Sequence, residues 1–209
     1  KSRGLGDVYK RQGKNYVKHI QELNGSFDDN PTIFMKPDSS IIQKNQPFFI
    51  PEFSDEIHYE LELILKFSKV GKHIDKDFCL NYISHFSLGI DFTARDLQND
   101  LKLKGLPWEI SKSFDNSALI GEWIPYDDKI DLNNINFSLK KNGKIVQKSN
   151  SSKMIWKITE LIHYASKYFT IKIGDIMFTG TPEGVGKVKI GDFLEGFIDK
   201  EKIFEIKIK

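Results

Sequence analysis

His58-Tyr59-Glu60-Leu61-Glu62-Leu63-Ile64-Leu65 decides the architecture of this chain. On a strand's two-residue period, Tyr59, Leu61, Leu63 and Leu65 share one face, and His58, Glu60 and Glu62 share the other. The apolar face requires a core to pack against. On the opposite face the two carboxylates stand about 6.6 Å apart along the backbone, given a rise of about 3.3 Å per residue. If that face is partly buried, their repulsion is about 2–3 kcal/mol at an effective dielectric near ~20. Water screens the repulsion on an exposed face; elsewhere a cation has to. Taken alone, Glu-x-Glu reads as a solvated outer face. An all-oxygen cluster is instead what a hard cation such as Mg²⁺ or Mn²⁺ selects. The rest of the chain decides between these readings.

With 209 residues, the chain is expected to form one domain with a sizeable core. Lysine and arginine total 31 against 29 acidic residues, a net charge of +2, so no basic excess points to nucleic acid or an anionic membrane. The 16 phenylalanines suit a β-rich core. A single cysteine, Cys79, rules out an internal disulfide and fits a reducing compartment. It lies in an apolar stretch, which favours inert packing. No run approaches the roughly 18 apolar residues a spanning helix needs. The expectation is a soluble, cytoplasmic protein.

Taken in order, residues 1–12 do not read as the start of a domain. Gly6-Asp7-Val8-Tyr9-Lys10-Arg11-Gln12 resembles translated sequencing-adaptor read-through. Residues 1–12 are therefore expected to be a non-native leader, with 13–209 a single catalytic domain whose opening strand is missing. Tyr16 to Leu23 has a helical pattern with His19 and Glu22 on one face, where a carboxylate can orient an imidazole; a surface ion pair is the commoner meaning of that spacing. Thr32–Met35 reads as a strand. Asp75 to Leu88 carries Phe78, Tyr82, Ile83 and Phe86 at helical spacing, with His85 in a structural role. Asp91, Arg95, Asp96 and Gln98 crowd polar chemistry between apolar residues, Lys102–Trp108 is loop-like, and Lys112 sits among aromatics. Asn142-Gly143 is the favoured type I′ pair for a hairpin over Ile135–Gln147. Ser152 is expected to cap a helix from Lys153 to Tyr168. Strand Asp175–Phe178 runs into Thr179-Gly180-Thr181-Pro182-Glu183-Gly184-Val185-Gly186, a glycine-rich loop whose spacing does not match a phosphate loop. Strands near Phe193–Ile198 and Ile203–Ile208 close the chain.

In this order the pieces resemble the fumarylacetoacetate hydrolase family, in particular its small acylpyruvase and oxaloacetate decarboxylase/tautomerase branch. The matching segments are Gly-Lys-Asn-Tyr-Val-Lys-His-Ile-Gln-Glu (13–22), Phe-Met-Lys-Pro (34–37), His-Tyr-Glu-Leu-Glu-Leu (58–63), Asp-Phe-Thr-Ala-Arg-Asp-Leu-Gln (91–98), Gly-Leu-Pro-Trp (105–108), Lys-Ser-Phe-Asp (112–115) and Gly-Asp-Ile-Met-Phe-Thr-Gly-Thr-Pro-Glu-Gly-Val-Gly (174–186). Two residues depart from the family pattern: Lys14 stands where Arg is usual, and Asp38 where Ser is common.

The resemblance implies an α+β, strand-rich fold, a mixed β-roll with short flanking helices, and a homodimer. It implies that Glu60, Glu62 and Asp91 hold Mg²⁺ or Mn²⁺. It gives Lys112 a catalytic role, sets Gln98, Thr181 and Arg95 around a bound 2-oxo acid, and makes His19 and Glu22 a catalytic dyad on a lid. The implied activity is hydrolysis of acylpyruvates, or decarboxylation or tautomerisation of oxaloacetate, through an enolate that the cation stabilises. Two alternatives stand beside it: isomerisation or decarboxylation of hydroxylated dienedioates from aromatic breakdown, and an inactive binding protein on the same scaffold.

Overall fold

A computed structural model of the chain describes residues 9–13, 15–23 and 29–209. Its strands, in chain order, begin with β1 (Tyr9–Gly13), β2 (Thr32–Lys36), β3 (Ile57–Tyr59), β4 (Leu61–Phe67) and β5 (Ile83–Asp91). There follow β6 (Thr93–Ala94), β7 (Ala118–Ile120), β8 (Ile124–Pro125), β9 (Asn136–Lys141) and β10 (Lys144–Asn150). The last four are β11 (Ile176–Phe178), β12 (Gly186–Lys187), β13 (Phe193–Ile198) and β14 (Glu201–Lys207). The helices are short: α1 (Val17–Glu22), α2 (Arg95–Lys104), α3 (Glu109–Lys112) and α4 (Ile158–Tyr168).

A seven-stranded sheet runs β2-β1-β11-β4-β5-β7, with β8 also on β5; a four-stranded sheet runs β10-β9-β13-β14, and a three-stranded one β12-β3-β6. The large sheet is mixed, because β1 pairs parallel with β11 and antiparallel with β2. The sheets curl around one apolar core, with few helices, as the α+β roll expectation requires. No helix among the described residues is long and apolar enough to cross a membrane.

The deciding stretch is not one strand. It belongs to the small sheet as β3, breaks at Glu60, and enters the large sheet as β4. Leu61, Leu63 and Leu65 are fully buried in the main core, as their period predicts. The opposite face is buried too: Ile64 packs with Ala118, Ile176 and Phe178 in a second cluster. A solvated outer face for Glu60 and Glu62 is therefore corrected. Their exposures are 4% and 1%.

Other expectations change where tertiary pairing overrides local period. Asp75–Leu88 is a 3₁₀ turn, Lys76–Tyr82, followed by β5 rather than a helix. The β-branched and aromatic residues Ile83 and Phe86 pair across to β4, while Phe78 on the supposed apolar face is exposed. The helix expected from Lys153 starts at Ile158, because Asn15 takes the backbone of Trp156 instead: Trp156 N donates to Asn15 Oδ1 at 2.8 Å. Helix α2 extends to Lys104 and stops at Gly105 in the left-handed region (φ 64°), where Leu106 N bonds Leu101 O. The Asn142-Gly143 turn forms as expected, with φ 52° and 78°.

Residues 1–8 lie outside the described residues, as does Lys14, but Tyr9–Gln12 form part of β1, whose backbone pairs on both sides with β2 and β11. Asp38 opens a 3₁₀ turn, its carboxylate accepting from Ser39 N at 2.9 Å.

Candidate active site and metal centre

Glu60, Glu62 and Asp91 converge: one carboxylate oxygen from each lies within 4.8 Å of the others, all three residues being buried. Glu60 lies buried at the break between β3 and β4, where the chain passes from the small sheet to the large one. Glu62 follows two residues later on β4, and Asp91 ends the neighbouring strand β5. The Gly180 amide, in the glycine-rich loop after β11, donates to Glu62 Oε2 at 2.6 Å.

Among the described residues, three cations hold this charge inside the protein. Lys112, at the end of α3, is 3% exposed rather than reaching for solvent. Its Nζ lies 2.7 Å from Glu60 Oε2, 3.0 Å from Asp91 Oδ2 and 2.7 Å from Thr93 Oγ1. Arg95 donates through Nη2 to the other Glu60 oxygen and through Nη1 to Gln98 Oε1 at 2.5 Å. Lys36, wholly buried at the end of β2, is 2.8 Å from Asp91 Oδ1 and is held by Ser117 O and Oγ at 2.9 and 2.7 Å. Burial alone would push the Glu60 carboxyl up; Lys112 and Arg95 outweigh it and hold the group well below the usual carboxylate range.

Arg95 is aimed by the start of α2. Its N donates to Glu56 O at 2.8 Å, and the next residue, Asp96, anchors the helix on Ser54 Oγ at 2.6 Å. Asp96 is thus structural. Gln98 Oε1 is taken by Arg95 and, at 3.3 Å, by Lys102, so the amide presents its NH₂ group.

Helix α1 lies over this cluster. Its base is fixed by Asn15, whose Nδ2 donates to Thr179 O at 2.7 Å. His19 is 4% exposed; burial pulls its imidazole below the ordinary value, with Glu60 drawing it back up. Its Nδ1 is 3.5 Å from Glu22 Oε2, an ion-pair distance rather than a formed hydrogen bond. Both Glu22 oxygens instead accept from the Gly184 amide, at 3.1 and 3.2 Å. The predicted residues are therefore brought together, while Glu22 engages the glycine-rich loop more closely than the histidine. Thr181 of that loop is held by Gln147 on β10, Nε2 to Oγ1 at 2.9 Å. His85 stays outside the cluster, bonded to Ser84 Oγ. Cys79 is buried, its thiol pushed up to about 11 by burial, as inert packing requires.

Sequence reasoning missed Lys36, Ser117 and Gln147. A lysine ending an apolar strand, Ile33-Phe34-Met35-Lys36, was the available signal for the first. The donor set fits a divalent cation on chemical grounds: oxygen atoms only, three carboxylates, close enough to share one ion.

The model for the fumarylacetoacetate (FAA) hydrolase C-terminal family matches residues 10–207. The chain is 40% identical over 184 residues to mitochondrial oxaloacetate decarboxylase of Dictyostelium discoideum, covering 88% of this chain and 84% of that protein. It is 36% identical over 186 residues to the mitochondrial oxaloacetate tautomerase FAHD1 of Homo sapiens, covering 89% and 84%. The crystal structure of fumarylpyruvate hydrolase from Pseudomonas aeruginosa in complex with Mn²⁺ and pyruvate aligns with a TM-score of 0.90 at 32% identity, covering 96% of this chain and 88% of that one. The family match spans the sheets, the acidic cluster and α1 alike, and the chain belongs to the fumarylacetoacetate hydrolase family of enzymes.

Proposed function

We propose that this chain is a divalent-cation-dependent lyase or hydrolase of 2-oxo acids, releasing pyruvate by decarboxylation of oxaloacetate or by C–C hydrolysis of an acylpyruvate, with oxaloacetate tautomerisation at the same site. The observation that carries the reading is the convergence of Glu60, Glu62 and Asp91 with the Lys112 ammonium against two of them. The three carboxylates would hold Mg²⁺ or Mn²⁺, which would supply Lewis acidity toward a 2-oxo acid.

The chain's own groups do the rest. Lys112 stands beside the keto oxygen and stabilises negative charge developing there. Arg95 orients Gln98, whose NH₂ group and the Thr181 hydroxyl bind the substrate's oxygens. His19, kept neutral by burial, takes a proton from water attacking the distal carbonyl of an acylpyruvate. Glu22 seats the lid on Gly184 and lies behind the imidazole. Loss of CO₂ from oxaloacetate needs no water and makes no such demand on His19. A homodimer in a cytoplasmic, reducing compartment completes the reading, supported by the unpaired, buried Cys79 for the compartment.

The test is a panel of oxaloacetate, acetylpyruvate and hydroxylated dienedioates with Mg²⁺, Mn²⁺ or EDTA, following pyruvate release and substrate absorbance. Cation-dependent pyruvate release is expected and EDTA should abolish it. Turnover of dienedioates alone moves the assignment to an isomerase; no turnover at all overturns an enzymatic reading of this site.

A further inference from the structure

Gln147 lies 86 residues from Leu61 in sequence and 34 from Thr181, yet it bonds both. It sits on β10 beside a register shift between Ile145 and Gln147, an irregularity of the kind that re-aims a side chain. The side chain is carried inward, to 1% exposure. The Leu61 amide, between the two ligand glutamates, donates to its Oε1 at 2.9 Å. Its Nε2 donates to Thr181 Oγ1 at 2.9 Å and to Pro182 O at 3.0 Å.

These partners fix which end of the amide is which. A backbone N–H can only donate, so it faces oxygen; a backbone carbonyl can only accept, so it faces nitrogen. Both Nε2 protons are then committed, and Thr181 Oγ1 has to accept. Its own proton must go elsewhere. Among the described residues the further acceptor in reach is Pro182 O at 3.5 Å, at the outer limit of a hydrogen bond and already engaged by Gln147. Thr181 is 2% exposed, so bulk water is not at hand, and it follows directly on Gly180, whose amide holds Glu62. We propose that Gln147 is a positioning residue that commits the Thr181 hydroxyl as a hydrogen-bond donor to an oxygen of the bound 2-oxo acid. The inference rests on the functional reading above and adds to it the source of the hydroxyl's polarity.

Gln147→Glu tests it. The carboxylate still accepts from Leu61 N but offers Thr181 an acceptor, so the hydroxyl turns back and is lost to the substrate. The KM for oxaloacetate is expected to rise about tenfold or more, the scale of one hydrogen bond to a charged group. Mn²⁺ affinity should stay within about threefold, because Glu60, Glu62 and Asp91 keep their own partners. Thr181→Val should raise KM similarly and Thr181→Ser should restore it. On the Thr181→Val background, Gln147→Glu should add little. Gln147→Met, which removes the amide without supplying an acceptor, should raise KM less than either Gln147→Glu or Thr181→Val.

Equal effects of Gln147→Glu with and without the Thr181 hydroxyl would overturn the inference, since Gln147 would then act through charge or packing alone. If Gln147→Glu fails to fold by circular dichroism, Gln147→Met decides: a KM at or above that of Thr181→Val overturns the proposal. Inactivity of the wild-type protein on every 2-oxo acid overturns the functional reading instead. An active wild type with an unchanged KM in Gln147→Glu overturns only this step.

Discussion

The backbone N–H of Asp91 donates to the carbonyl oxygen of Glu60 at 2.8 Å. This bond ties the end of β5 to the break between β3 and β4. Two of the three clustered carboxylates are thus related through the main chain, and their side chains need few rotamers fixed to meet. A site built on strand backbone holds its geometry better than one assembled from loops.

Removing either carboxylate should therefore remove the cation and every activity together. Glu60→Ala or Asp91→Ala is expected to weaken Mn²⁺ binding by at least about 100-fold, more than disturbing an outer partner of a ligand does. Oxaloacetate and acetylpyruvate turnover should disappear in parallel. The check is a Mn²⁺ titration by electron paramagnetic resonance beside both assays. Loss on one substrate with retention on the other would contradict a shared centre.

Lys36→Met should cost stability first. It leaves Asp91 Oδ1 buried without its lysine, while Lys112 still faces Oδ2. Breaking a buried pair in this way costs about 3 kcal/mol, the low end of the usual range because one cation remains. That corresponds to a fall in Tm of roughly 6–12 °C for a chain of this size. Saturating Mn²⁺ should recover part of the loss. A Tm within about 2 °C of wild type by calorimetry would show that the Lys36–Asp91 pair does not support the fold.

Gly184→Ala should damage the contact between α1 and the glycine-rich loop. Gly184 has φ +93°, and a Cβ there would lie 2.2 Å from Val146 O, a backbone atom that cannot step aside cheaply. The left-handed backbone alone costs a residue with a Cβ about 1–2 kcal/mol. The loop must shift, and with it the amide that receives Glu22. A drop in kcat/KM for acetylpyruvate and a lower Tm are both expected. An unchanged kcat/KM would mean that Glu22 does not need this amide.

The legible part of this protein was what a short window contains. The period over Tyr59–Leu65 gave the buried leucines, and Asn142-Gly143 gave the hairpin, because both signals are local. The resemblance brought in the carboxylates and the lid residues. What could not be read depends on distant pairing. Asp75–Leu88 has helical spacing, yet β4 claims its second half as a partner. Lys36 and Gln147 look like ordinary polar residues until the chain brings Asp91, Ser117, Leu61 and Thr181 to them. The break at Glu60 is equally invisible, since neither sheet exists within the window.

The last prediction separates His19 from the acidic cluster. His19 is proposed to make water nucleophilic, which acylpyruvate hydrolysis requires and decarboxylation does not. Losing a general base costs about 10²–10⁴ in rate. His19→Ala should therefore lower kcat for acetylpyruvate by that order and affect oxaloacetate much less. Burial lowers the imidazole below its ordinary value of 6.5. The proton-free form then persists further into acid, so the acidic limb of the hydrolysis profile should have its midpoint below 6.5 and vanish in His19→Ala. The same depression bears on stability. The unfolded chain binds this proton first, so the His19 contribution is present above the ordinary value and is lost as pH falls below it. Glu22→Gln should be milder, because a glutamine oxygen can still accept from Gly184 N while the charge beside His19 is gone. The measurement is kcat for both substrates from pH 5 to 9 in wild type and both variants at saturating Mg²⁺. Equal losses on both substrates would sink the water-activating role and leave His19 a residue of the lid.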